Sequence, residues 1–89
     1  MILYLDTSAL VKLYFWEPFS DEILSKWQCA DQIVASSVAY AETMASIYRK
    51  NREGDLEDSL TRQVVESFHR DWSSLIRVEV TDELNVYID

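Results

Sequence analysis

Eighty-nine residues, 48% of them hydrophobic with a single glycine and a single proline, describe one packed and mostly helical domain near the lower size limit for a self-sufficient core. The formal net charge of −8, from 16 acidic and 8 basic residues, opposes binding to nucleic acid by simple phosphate neutralisation. It does not oppose hydrolysis at carboxylates bridged to phosphate by a divalent cation. One cysteine excludes an internal disulfide, and no apolar run approaches the roughly 20 residues that span a bilayer, so a cytoplasmic location without a membrane partner is expected.

Ile2 to Leu5 is an apolar run without polar alternation, which predicts a strand covered on both faces in a parallel sheet. It stops at Asp6. Thr7 or Ser8 then offers a side-chain oxygen to cap a helix whose apolar face is Leu10, Leu13 and Tyr14. In an open α/β sheet, ligands bind outside the carboxyl ends of the strands, so Asp6 stands where such a fold carries its chemistry. Taken alone, it serves equally as a turn or capping residue.

Trp16-Glu17-Pro18 breaks the chain, and a second helix from about Phe19 to Cys29 places Phe19, Ile23, Leu24 and Trp27 on one face, with Cys29 a small packing residue. Ile33-Val34-Ala35 is a second short strand, and Ser36-Ser37 can cap a third helix over Val38 to Arg52. Val38, Ala41, Ala45 and Tyr48 form the apolar stripe of that helix, and Glu42 borders it. A carboxylate there reaches solvent or shares a metal with Asp6. Arg49, Lys50 and Arg52 complement the C-terminal dipole.

Gly54 closes the helix and Asp55 caps the next, in which Leu56, Leu60, Val64, Phe68, Trp72 and Leu75 recur almost every four residues. His69 lies off that stripe and has no second His or Cys at ligand spacing, so it reads as a surface residue. Ile76 to Val80 alternates as a half-exposed strand, and Thr81-Asp82-Glu83 opens a last helix containing Leu84, Val86, Tyr87 and Ile88. The fold class is α/β, a short three-stranded parallel sheet with helices packed around it.

The run Leu5-Asp6-Thr7-Ser8-Ala9-Leu10-Val11-Lys12-Leu13 resembles the amino-terminal signature of PIN domains, in particular those of VapC-type toxins, which are metal-dependent ribonucleases. Glu42, in Val38-Ala39-Tyr40-Ala41-Glu42-Thr43, matches the family's second landmark, a glutamate on a later helix. The order of elements follows the family along essentially the whole chain. The resemblance implies that Asp6 and Glu42 are catalytic and hold Mg²⁺ or Mn²⁺, with Ser8 as an additional contact. Lys12, Arg49 and Arg52 become candidate contacts to RNA phosphates, and a VapB-like antitoxin the expected protein partner.

The departure lies at the other end. A PIN domain typically continues with a Tyr-Asp-Ala-like helix bearing a third acid and a further strand ending in another, and Asp82, Glu83 and Asp89 match neither motif. The expectation is a truncated PIN-like fold, a single domain over residues 1–89 that lacks the family's carboxy-terminal helix and strand region, with cleavage weakened or lost. The first strand, central in the family, then becomes an open edge, which predicts a homodimer, a higher oligomer or a required partner. Two other classes compete. One is a catalytically inactive antitoxin-binding or oligomerisation module; the other is a phosphate-handling aspartyl domain, which in its haloacid-dehalogenase form needs Asp-x-Asp where this chain has Ser8.

Overall fold

Each apolar run ends at residues that turn the chain, and the computed structural model, which describes residues 1–78, follows those breaks. The elements are β1 (Ile2–Leu5), α1 (Thr7–Val11), α2 (Ser20–Cys29), β2 (Gln32–Ser36), α3 (Val38–Arg52), α4 (Asp58–Ser73) and β3 (Ile76–Val78). The strands form one parallel sheet in the order β1-β2-β3. This is the expected α/β arrangement, with β1 at an edge of the described sheet. The expected strand residues Glu79 and Val80 and the helix from Thr81 lie outside the described residues.

Register decides which side chains meet. Leu3 pairs with Ile33 and Leu5 with Ala35, and alternation along the strands puts these four on one face. Leu5 and Ala35 join Leu10, Ala39, Ile47, Phe68, Trp72 and Leu75 in the core. Ile2, Tyr4, Val34 and Ile76 share the other face, where Ile2 is 67% and Tyr4 57% exposed. The expectation of a strand covered on both faces therefore fails among the described residues. Both crossovers step the same way across the sheet, and the right-handed rule directs their helices to one side.

Helix α3 has the expected bounds but the opposite rotation. Its buried residues are Ala39, Thr43 and Ile47, with Tyr40 and Met44 packed beside them. Val38, Ala41, Ala45 and Tyr48, the expected stripe, face outward. Ile47 and Met44 decide the rotation, and Thr43 is carried inside with them, its Oγ1 buried without a hydrogen-bond partner among the described residues. The helix ends on Gly54 at φ +82, with Gly54 N–H donating to Asn51 O and Asp55 N–H to Lys50 O, the paired bonds of a Schellman stop.

Helix α4 buries Thr61, Phe68 and Trp72, while Leu60 turns outward and Glu57, not Asp55, occupies the N-cap position. Phe68 centres an aromatic cluster: Tyr14 meets it edge-on at 5.6 Å, and Tyr40 and Trp72 lie 5.6 and 5.8 Å away. In α2, Ile23 and Trp27 pack on the core, but Phe19 and Leu24 are exposed. Cys29 is also exposed, at the last residue of that helix, so it is not the packing residue its helical context predicts.

Candidate active site

Burial of Leu5 anchors the end of β1 and leaves Asp6 exposed at its carboxyl end. Asp6, and not Thr7 or Ser8, is the N-cap of α1. Its Oδ1 accepts the Ala9 N–H at 2.9 Å and the Ser8 hydroxyl at 3.0 Å. Lys12 closes the same turn, its Nζ donating to the Ser8 carbonyl at 3.2 Å. The Ala9 N–H holds the Asp6 carboxyl below its ordinary pKa; partial burial works against this, and the Ser8 hydroxyl and the Lys12 charge add to it. Among the described residues no protein group donates to Oδ2.

Glu42 sits a little over one turn into α3. That helix starts where β2 ends, β2 pairs in parallel with β1, and α1 packs against α3, so Asp6 and Glu42 share the carboxyl end of the sheet. Glu42 is exposed, next to buried Thr43 and on the outward side with Val38 and Ala45, so the stripe it borders is a solvent-facing one. Its carboxylate forms no hydrogen bond or ion pair among the described residues.

Asp6, Ser8 and Lys12 are thus brought together, and Glu42 lies at the same end of the sheet. Arg49 and Arg52 are not part of this group. They sit seven and ten residues beyond Glu42, about 10 and 15 Å down the helix axis toward the opposite end of the strands. Among the described residues no three His, Cys, Asp or Glu side chains are grouped to hold a metal ion.

One pair at this end escapes sequence reasoning. Tyr40, two residues before Glu42, has its hydroxyl 2.8 Å from Nε2 of His69, and the two rings stack at 5.7 Å. His69 is exposed as predicted, yet engaged. No spacing signal links residues 29 positions apart on two helices; only the packing of α3 on α4 makes them neighbours.

Among the described residues no helix is long and apolar enough to cross a membrane. Ribonuclease VapC45 of Mycobacterium tuberculosis (strain CDC 1551 / Oshkosh) and Ribonuclease VapC49 of Mycobacterium tuberculosis (strain ATCC 25618 / H37Rv) are each 30% identical to the chain over 80 residues. That alignment takes in 90% of this chain and 56% of either relative, so the chain spans little more than half the length of the curated proteins it matches. The family model of the PIN domain matches residues 3–84, from the second residue of β1 through the Asp6 cap, α3 and β3, and the chain belongs to the PIN domain family.

Proposed function

We propose that the chain acts as a VapC-like toxin of a toxin-antitoxin system, hydrolysing RNA phosphodiester bonds with Asp6 and Glu42 as the residues that hold Mg²⁺ or Mn²⁺. The observation that carries this reading is the division of labour within Asp6. One oxygen is fixed by the Ala9 N–H and the Ser8 hydroxyl, which keep the group ionised, while the other makes no protein hydrogen bond among the described residues.

The donor set fits a hard cation. Mg²⁺ takes oxygen ligands and commonly retains several waters beside one or two carboxylates. A bound divalent ion supplies acidity to a water and charge for the phosphate. The chain's own residues do the rest. Asp6 is oriented before substrate arrives, which removes part of the ordering cost of the reaction. Ser8 holds that orientation. Lys12, tethered to the Ser8 carbonyl, sets a positive charge beside the carboxylate, where a phosphate oxygen can meet it. With a net charge of −8, RNA affinity must come from such local groups. Arg49 and Arg52 serve the α3 dipole and reach RNA only away from the scissile phosphate.

A VapB-like antitoxin is the proposed protein partner, and residues 1–89 are read as one PIN-like domain. A second reading, an inactive module that binds an antitoxin or a second copy, is favoured by the exposed Ile2 and Tyr4 and by β1 at the edge of the described sheet.

Mn²⁺ titration followed by electron paramagnetic resonance tests the metal assignment. Asp6→Asn keeps the cap, because asparagine caps as well as aspartate, and removes the charge. Weaker Mn²⁺ binding in both Asp6→Asn and Glu42→Gln supports the shared site; unchanged binding in either contradicts it.

A further inference from the structure

The connection between α1 and α2 leaves two aromatic side chains in solvent. Trp16 is 79% and Phe19 66% exposed, and with Pro18 they wall a concavity of ≈ 460 Å³ that also takes in Glu17, Asp21 and Glu22. Apolar surface gathered in one patch and rimmed by polar residues marks an interaction site, and aromatic side chains are favoured anchors there.

The backbone holds them there. Ser20 is buried, its hydroxyl donating to the Phe15 carbonyl at 3.2 Å and accepting the Glu17 N–H at 2.9 Å. Phe19 has φ +73, a left-handed conformation that glycine adopts freely and a bulky side chain does not. Its ring is not retained for packing, since it is largely exposed. The backbone of the connection is therefore held, which leaves less of it to order on binding.

Its rim selects the ligand. Among the described residues, none of Glu17, Asp21 and Glu22 forms an ion pair. Phosphates are repelled by such a rim, whereas arginine or lysine stacks its cation on an aromatic face while the carboxylates take its hydrogen bonds. We propose that the α1 to α2 connection is a docking site for a cationic, Arg- or Lys-bearing segment of a partner protein, which seats on Trp16 and Phe19 and pairs with Glu17, Asp21 and Glu22. The inference does not rest on catalysis at Asp6, and Asp6→Asn leaves this docking intact.

Fluorescence anisotropy on the full chain tests it with three labelled probes: a peptide of alternating Arg and Leu, its counterpart with Glu for Arg, and a single-stranded RNA. The Arg peptide binds, more weakly as salt rises, and loses roughly tenfold or more in affinity with Trp16→Ala or Phe19→Gly. Phe19→Gly also relieves the backbone conformation, so its Tm holds or rises and the loss is not unfolding. Asp21→Asn with Glu22→Gln weakens binding, while Glu53→Gln with Asp55→Asn, the same change of charge at the turn after α3, does not.

Failure of the Arg peptide to bind the folded chain overturns the proposal, as does equal binding of the Glu peptide or undiminished binding to Phe19→Gly. Equal weakening by the Glu53 and Asp55 changes reduces the effect to net charge and also overturns it. RNA binding that Phe19→Gly abolishes would make nucleic acid the occupant. Self-association in sedimentation that Trp16→Ala abolishes would make it a second copy, and either result overturns the assignment.

Discussion

The Tyr14 hydroxyl donates a 2.7 Å hydrogen bond to Oδ2 of Asp71, joining the segment after α1 to the last turns of α4 across 57 positions of sequence. Burial first, and then the Asp71 carboxylate as bond acceptor and as charge, push the Tyr14 hydroxyl far above its ordinary pKa of 10.0. A group whose folded-state pKa is raised contributes stability in full below its unfolded value and loses it as pH climbs toward the folded one. Urea unfolding followed across the alkaline range should therefore show stability falling above about pH 10, with a smaller fall in Tyr14→Phe. At neutral pH the same substitution removes one hydrogen bond from a part-buried carboxylate and costs about 2 kcal/mol.

Thr43 is fully buried at the centre of the α3 core face, and its hydroxyl has no partner among the described residues. Thr43→Val keeps the shape and removes a desolvated polar atom. The expected result is a gain on the order of 1 kcal/mol in the unfolding free energy, read from the denaturation midpoint at unchanged slope. Thr43→Ala, which leaves space in place of the methyl group, should lose stability.

Asp6 is separable as a cap and as a charge. Asp6→Ala loses the cap of α1 and costs about 1 kcal/mol, whereas Asp6→Asn retains it. Because the folded-state pKa of Asp6 lies below its ordinary 3.8, its charged form adds stability above that value, lost as pH falls through the folded-state value. Acid titration of Asp6→Asn, monitored by circular dichroism, should show a shallower decline below about pH 4 than the parent chain.

Element order, the parallel sheet and the limits of α3 are legible in the sequence because apolar runs, Pro18 and Gly54 punctuate the chain. The rotation of α3 is not. Val38, Ala41, Ala45 and Tyr48 make a continuous apolar row, while the face that packs has threonine at its middle. Alanine is small enough to suit either side, so Ile47 and Met44 tip the helix by their contacts with other elements, which no local pattern encodes. The exposure of Ile2 and Tyr4 has a similar origin. An unbroken apolar run says that both faces of a strand are apolar, not that the described chain covers both.

At the candidate site, the position of Asp6 at a strand end follows from sequence; its capping role is one reading the sequence allows without choosing it, since Thr7 and Ser8 are equally good capping residue types. The cap and the proposed metal-ligand role are compatible uses of one carboxylate, one oxygen each. Tyr40 with His69 and Tyr14 with Asp71 lie beyond sequence reasoning for one reason: each joins two helices whose mutual packing sets the distance.

The proposal that Asp6 and Glu42 run a metal-dependent ribonuclease site is tested most directly by incubating the purified chain with a structured RNA in Mn²⁺ or Mg²⁺, beside EDTA, Asp6→Asn and Glu42→Gln controls. The expected result is RNA cleavage that EDTA abolishes and that each substitution reduces by two orders of magnitude or more, on the order of 3 kcal/mol in the barrier, with thermal melts unchanged. Intact RNA in the presence of folded, metal-loaded protein would contradict it, as would cleavage that survives Asp6→Asn.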